Sequence, residues 1–326
     1  MDPAPILIEL LVLLYLSKIG IEQVYAFFIT IGIILLLLIL CFPLYVYVHR
    51  VNTERDNEIS EYLFTNHFYK MVKKLLFFLF VILATLLYFF YSGVHSPLGT
   101  IAIATPAFLS IIILHVIIQV YQFICFILAV TKYVSQAFPS TETIILLFQK
   151  VMHRWIGLVY LVFVVKDIAS FVIYAKCFLL LCPDEESSKI KLQYSAMFII
   201  FNIISLTSSL LYIPLLISSK KSKIPLRIQH SKPQRYIFWQ TLMTTVWKIA
   251  TIPLGVLLYS YRIPIILITL ILISIDITVI PLIIQITYLS CNKRNVTAIF
   301  KTICCCSKKP SSVQPHYQSN GSTGDA

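Results

Sequence analysis

The sequence predicts an all-α membrane protein, a bundle of seven transmembrane helices, and three observations indicate this fold class. Hydrophobic residues make up 59% of the 326-residue chain and charged residues only 12%, about half the charged share of an ordinary soluble domain. A soluble monomer of this composition would expose larger apolar patches than monomers usually show, and a disordered chain would contain fewer apolar residues. The apolar residues also form long runs without strand-like alternation, which excludes a transmembrane β-barrel.

Seven runs are long enough to cross the membrane as helices, because about 20 apolar residues rising about 1.5 Å each cover a hydrocarbon core about 30 Å thick. The predicted spans are residues 24–48, 75–91, 101–130, 155–181, 194–218, 236–260 and 263–288. Together they define a transmembrane domain over residues 24–291. No segment between the spans is long enough to form a soluble domain with its own core.

The two ends of the chain are predicted to lie outside the bundle. Residues 1–23 form an N-terminal arm, and its apolar stretch at 6–16 is too short to span, so we expect an interfacial helix or a flexible arm. Residues 292–306 form a juxtamembrane amphipathic segment. Residues 307–326 are rich in Ser, Pro and Gly without an apolar period, which predicts a disordered cytoplasmic tail.

The distribution of Lys and Arg orients the bundle, because short cytoplasmic loops carry an excess of these residues. Nineteen of the 26 lie in the loops after spans one, three and five and in the tail, against five on the opposite side. The sequence therefore predicts an extracellular N-terminus and a cytoplasmic C-terminus. The formal net charge of +12 then lies at the inner face, next to anionic lipids. Because the basic residues alternate with spans, no nucleic-acid partner is expected.

Two oppositely charged residues lie at matching depth in the last two spans. Lys248 in span six and Asp276 in span seven are both about 18–20 Å from the outer end by the helical rise, which predicts that they pair. Ionisable groups at bilayer depth are costly and often functional. The pair could contact a ligand or act as an activation switch. Alternatively, the two charges could only neutralise each other or be hydrated in an internal cavity.

Spans three and four carry further polar residues at bilayer depth. His115, Gln119 and Gln122 are spaced by four and three residues, so they share one helical face. This stripe could line a ligand pocket or a water channel, or it could serve only in hydrogen bonds between helices. Lys166 and Asp167 are sequence neighbours about 100° apart on a helix, so we expect that they do not face each other and that each has another partner.

Five cysteines are candidates for covalent modification. Cys177 and Cys182 are on the predicted extracellular side, where a local disulfide could form. Cys304, Cys305 and Cys306 end the amphipathic segment, beside its basic residues. A cysteine cluster in this position is typical of reversible S-palmitoylation. A zinc site there would require a fourth ligand at suitable spacing, and the sequence offers none.

Five separated motifs carry a resemblance to a known family. They are FPLYVYVHRVNTERD at 42–56, NHFYKMVK at 66–73, FPSTE at 138–142, RYIFWQT at 235–241 and PLIIQITYLSCNKRNV at 281–296. In this order, over nearly the whole chain, they resemble the nematode serpentine receptors of class Z. The resemblance implies a seven-helix G-protein-coupled chemoreceptor in the plasma membrane of a sensory neuron. It also implies an extracellular small-molecule or peptide ligand and a heterotrimeric G protein as partners, and leaves the ligand's identity open.

The cytoplasmic side of such a receptor would face the G protein. The end of span three reads Thr131-Lys132-Tyr133, where the larger rhodopsin-like family has an acidic–arginine–tyrosine triplet, so Lys132 is the basic counterpart without an adjacent acid. The candidate G-protein-facing residues come from this triplet and from the loop after span five: Lys132, Tyr133, Lys220, Lys221, Lys223 and Arg227. The loops at 132–142 and 220–235 would become accessible when the inner face opens.

Other classes of membrane protein fit the sequence less well. An intramembrane enzyme needs clustered carboxylates, a His–Glu zinc pattern or a nucleophile–base pair, and the sequence has none of these, so no catalytic residue, cofactor or metal site is predicted. A transporter usually shows internal repeats, which are absent. A seven-span chemoreceptor-type ion channel would have a cytoplasmic N-terminus, against the charge distribution. The channel and the small-molecule transporter are the alternative functions.

Overall fold

The chain folds as a bundle of helices. The structure is a computed structural model that describes residues 21–56, 62–92, 97–138, 140, 142–179, 184–212, 214, 232–292 and 297. The helices are α1 (Ile21–Asp56), α2 (Tyr62–Ser92), α3 (Pro97–Ala137), α4 (Glu142–Arg154), α5 (Ile156–Leu179), α6 (Asp184–Leu210), α7 (Lys232–Ser260) and α8 (Ile265–Cys291). Residues 1–20 of the predicted arm at 1–23 and the predicted tail at 307–326 lie outside the described residues.

Six of these helices are long and apolar enough to cross a membrane. They are α1, α2, α3, α6, α7 and α8, and they contain the segments Ile29–Thr53, Tyr62–Phe89, Thr105–Ala137, Ser188–Leu210, Tyr236–Ser260 and Ile265–Cys291. The all-helical membrane fold is therefore confirmed. Helix α5 occupies the predicted fourth span but is not one of the six, so the count of seven spans stays a prediction, as does the orientation.

Several helices extend beyond the predicted spans. Helix α1 continues to Asp56, and α2 begins at Tyr62, well before the predicted start of its span at residue 75. The extensions are stabilised by packing, because Phe64 and Phe68 in the first two turns of α2 are fully buried. Hydrophobicity marks the part of a helix at bilayer depth, whereas tertiary contacts decide where the helix ends.

Helices α3 and α8 form the centre of the bundle. More than half of the apolar window of each is buried inside the protein, against less than a third for the other four helices. Helix α3 packs against α2, α5, α6 and α8, and α8 packs against α1, α6 and α7. Large apolar side chains on the outer helices remain exposed, as expected where lipid is the solvent. This arrangement places the polar residues of α3 and α8 inside the protein.

Helix α4 was not expected from the sequence. Residues 142–154 lie between predicted spans three and four and were assigned to a cytoplasmic loop, but they form a helix of 13 residues. Only Trp155 separates α4 from α5, and the Trp155 amide donates a hydrogen bond to the Val151 carbonyl at 3.0 Å. A stretch of 13 residues is too short to cross the membrane, so the length criterion for spans does not predict it.

Candidate functional site

A small cavity lies among α3, α5, α6 and α8. Its volume is about 20 Å³, enough for about one water molecule. The side chains that border it are His115, Ile118, Gln119, Gln122, Lys166, Ser170, Tyr194, Met197, Phe198, Phe201, Ile273 and Asp276. Five of the seven residues predicted as a ligand site therefore line one cavity, and the other two, Asp167 and Lys248, each pair with a residue that lines it.

The first ion pair lies within α5. The Lys166 ammonium is 2.7 Å from the Asp167 carboxylate, so the expectation that these neighbours do not face each other is wrong. Their Cα–Cβ bonds diverge by about 100°, but the long flexible lysine side chain bends back to its neighbour. The Asp167 side chain is 8% exposed, which makes an adjacent cation important for its charge.

Two residues of α3 complete this cluster. The Lys166 ammonium donates a hydrogen bond to Gln119 Oε1 at 2.8 Å, and Gln119 Nε2 donates to the Asp167 carboxylate at 3.3 Å. Gln119 Nε2 also contacts His115 Nε2 one turn earlier. Gln119 therefore binds both members of the ion pair at once and links α3 to α5, while His115 lies 4.0 Å from the Asp167 carboxylate.

The second ion pair joins α7 to α8. The Lys248 ammonium contacts the Asp276 carboxylate, and both side chains are almost completely buried, at 3% and 6% exposed. The structure thus confirms the pairing that matching depth in neighbouring helices predicted. The pair is formed inside the bundle and not at its lipid-facing surface.

Aromatic rings of α6 contact both ammonium groups. Lys248 lies 5.4 Å from the centre of the Phe198 ring, and Lys166 lies 5.2 Å from the centre of the Phe201 ring. Both distances are in the range of cation–π attraction, which is stronger when the cation is shielded from water. Phe198 and Phe201 are three residues apart on one helix. The α6 helix therefore contacts both charged clusters and can respond to a change in either.

A second polar cluster, not predicted from composition or depth, lies where α1, α2, α7 and α8 meet. The imidazole of His49 stacks on the Tyr69 ring with ring centres 3.8 Å apart. Asn52 donates a hydrogen bond from Nδ2 to the Tyr288 hydroxyl at 3.2 Å. The Tyr288 ring packs edge-on against Tyr45 and Tyr236. We call these residues the tyrosine cluster.

The sequence contained a signal for the tyrosine cluster. Tyr45, His49 and Asn52 are spaced by four and three residues, so they share one face of a helix, and they belong to a motif that carried the family resemblance. About one helical turn from Tyr236 and Tyr288, the side-chain amides of Gln240 and Gln285 are fully buried and have no hydrogen-bond partner within the part of the chain that the structure describes. Buried groups of this kind are commonly satisfied by ordered water.

The remaining predicted residues have separate locations. Lys132 and Tyr133 lie in the last two turns of α3, half-buried and exposed respectively. Lys220, Lys221, Lys223, Arg227, Cys182 and the cluster Cys304, Cys305 and Cys306 all lie outside the described residues. Cys177 is in α5, and the structure does not describe its side chain. In the described ranges, no group of three or more His, Cys, Asp and Glu residues could hold a metal ion.

A comparison with known protein families shows to which family the chain belongs. Residues 27–293 match the family described as "Serpentine type 7TM GPCR chemoreceptor Srz". The match spans the eight helices that the structure describes, except the first turns of α1. The chain belongs to the Srz family. The match confirms the resemblance predicted from the five motifs, and the family is one of receptors and not of enzymes. No curated protein and no solved structure matches this Srz protein.

Proposed function

We propose that this Srz protein is a chemosensory G-protein-coupled receptor of the plasma membrane, with its ligand site at the cavity among α3, α5, α6 and α8. One observation supports this site: the buried Lys248–Asp276 pair and the Lys166–Asp167 pair, which Gln119 holds, each contribute one residue to the lining of a single cavity. Charged groups at bilayer depth commonly mark ligand and ion pathways. The cavity offers ammonium and carboxylate partners to a polar small-molecule or peptide ligand from the extracellular side.

Binding requires rearrangement of this cavity. A volume of about 20 Å³ is far below the roughly 300–1,000 Å³ of a typical ligand pocket. The ligand therefore has to displace side chains, and the two ion pairs are the groups for which its own polar atoms compete. Separation of Lys248 from Asp276 would remove one link between α7 and α8, which also meet in the tyrosine cluster. A ligand that prefers the separated arrangement shifts the equilibrium toward it.

The ligand-induced rearrangement would activate a heterotrimeric G protein at the cytoplasmic face. The proposed contact residues are Lys132 and Tyr133 at the end of α3, together with Lys220, Lys221, Lys223 and Arg227 in the loop after the predicted fifth span. The basic residues of this face follow from the charge distribution of the sequence. Expression in a sensory neuron, implied by the family, remains part of the proposal.

A purely structural role for the ion pairs is the competing interpretation, since the two charges of such a pair can serve only to neutralise each other. The test is calcium or cAMP imaging of cells that express the receptor, exposed to a broad ligand panel. We expect Lys248→Ala and Asp276→Ala to abolish a response of the wild-type protein at matched surface expression. The control is Lys189→Ala, which breaks the exposed Glu185–Lys189 pair on α6. Unchanged responses in both site variants would refute the assignment.

The orientation is proposed together with the function. An epitope tag at Met1 should be accessible to antibody on intact cells, because the N-terminus is proposed to be extracellular. Accessibility only after permeabilisation would favour the channel-type topology. On the same extracellular side, Cys177 and Cys182 are proposed to form a disulfide, which mass spectrometry of the non-reduced protein would detect as one cross-linked peptide.

A further inference from the structure

Helix α4 has one apolar face that nothing in the described protein covers. Ile144, Leu147, Phe148 and Val151 are 68%, 63%, 46% and 46% exposed. Since successive helical residues turn by about 100°, these four side chains lie within an arc of about 100°. The opposite side of the helix faces the protein, because Gln149 is buried. The exposure is therefore specific to one face and is not a general property of the helix.

The apolar face of α4 continues in an exposed apolar surface of α5, the helix at the predicted fourth span. After the exposed Trp155, exposed side chains follow at helical spacing along α5: Leu158, Leu161, Val162, Val165, Ile168 and Val172. The stripe from Ile144 to Val172 would measure about 42 Å along a straight helix. The hydrocarbon core is only about 30 Å thick. With α5 crossing the membrane as predicted, the α4 part of the stripe reaches the membrane boundary next to the lipid-facing surface of α5.

Basic residues flank the apolar face. Lys150 and Arg154 are both exposed and four residues apart, so they lie on one side of the helix, about 70–110° from the centre of the apolar arc by the same helical rotation. An apolar face with Lys or Arg beside it is typical of helices that lie in a membrane interface and contact anionic lipids. Long basic side chains can reach the headgroups while their stems cover apolar surface.

We infer that α4 is an anionic-phospholipid-binding helix, lying in the cytoplasmic interface with its apolar face in the acyl-chain boundary and Lys150 and Arg154 on the headgroups. This assignment rests on the orientation proposed above and on the predicted membrane crossing of α5. A G protein is the other candidate occupant of the apolar face. Continuity with the exposed apolar side of α5 favours the bilayer, which is present whether or not a G protein is bound. The helix would then hold the end of α3 at a fixed height above the membrane.

Fluorescence quenching of the full chain in nanodiscs tests this inference. A tryptophan is placed by Leu147→Trp in a background where the three native tryptophans are changed to Phe, and nanodiscs contain phosphatidylcholine with or without phosphatidylserine. The control is Ser140→Trp in the same background, because Ser140 is exposed and precedes the helix. We expect acyl-brominated lipids to quench the tryptophan at 147 at least about twofold more than that at 140, and acrylamide to show the reverse order.

The contribution of the basic residues is measured in the same samples. The double change Lys150→Glu and Arg154→Glu should reduce brominated-lipid quenching at 147 in discs that contain phosphatidylserine, and should have little effect in discs without it. Equal acrylamide quenching at 147 and 140 would overturn the inference, as would shielding at 147 that develops only when a G protein is added.

Because removal of three tryptophans could impair folding, benzoylphenylalanine at 147 in the native background gives a second readout. Its failure to cross-link phospholipid would also overturn the inference.

Discussion

The ion pair between Lys248 and Asp276 makes a quantitative prediction about stability. Lys248→Ala removes the cation and leaves Asp276 with a side chain only 6% exposed. Loss of one partner of a buried pair typically costs about 3–5 kcal/mol, because the remaining charge is desolvated without compensation. The matched surface change Lys189→Ala breaks a pair whose side chains are 73% and 82% exposed. Exposed helical pairs contribute only about 0.3–0.5 kcal/mol.

A double-mutant cycle separates the interaction from other effects of each substitution. Lys248→Ala and Asp276→Ala should each lower the unfolding temperature in detergent, whereas the protein that carries both changes should be more stable than either single variant. The physical reason is that no uncompensated charge remains once both groups are gone. If the two losses were simply additive, or if Lys248→Ala lowered stability no more than Lys189→Ala, the pair would not be coupled as the structure shows.

Three further outcomes are expected. Gln119→Leu removes the side chain that binds both Lys166 and Asp167, so it should lower the unfolding temperature more than Gln122→Leu, and equal effects would contradict the bridging role. Tyr288→Phe deletes the hydroxyl that accepts the Asn52 hydrogen bond. It should lower the free energy of unfolding by about 0.5–1.5 kcal/mol, measured by thermal unfolding, whereas an unchanged stability would show that the bond is replaceable. Changing Cys304, Cys305 and Cys306 to Ser should abolish labelling in an acyl-exchange assay, and persistent labelling would exclude these cysteines as the acylation site.

The fold was largely predictable because the bilayer imposes a simple rule on sequence. A run of about 20 apolar residues has few alternatives to a membrane-crossing helix, and six such helices were found where the runs predicted them. The Lys248–Asp276 contact was predictable for the same reason, because the position of a residue along a membrane-crossing helix sets its depth in the bilayer. Two neighbouring helices with opposite charges at one height have a strong reason to pair.

Features that depend on side-chain conformation or short amphipathic segments were not predictable. Lys166 reaches Asp167 because its side chain is long enough to bend back, which spacing along the helix does not reveal. Helix α4 was not predicted, because 13 residues are too few for a span and their apolar period lies in a segment between two predicted spans. The tyrosine cluster joins residues more than 200 positions apart, so only its Tyr45-His49-Asn52 part had a local signal.

The most direct test of the ligand site is the agonist potency of a receptor in which both charges of the α7–α8 pair are removed together. The change Lys248→Met with Asp276→Leu leaves no buried charge unpaired, so the fold should be retained. At surface expression matched to the wild type, the proposed site predicts a loss of potency of at least about tenfold, equivalent to about 1.4 kcal/mol. An unchanged concentration–response curve would show that the pair serves only the fold.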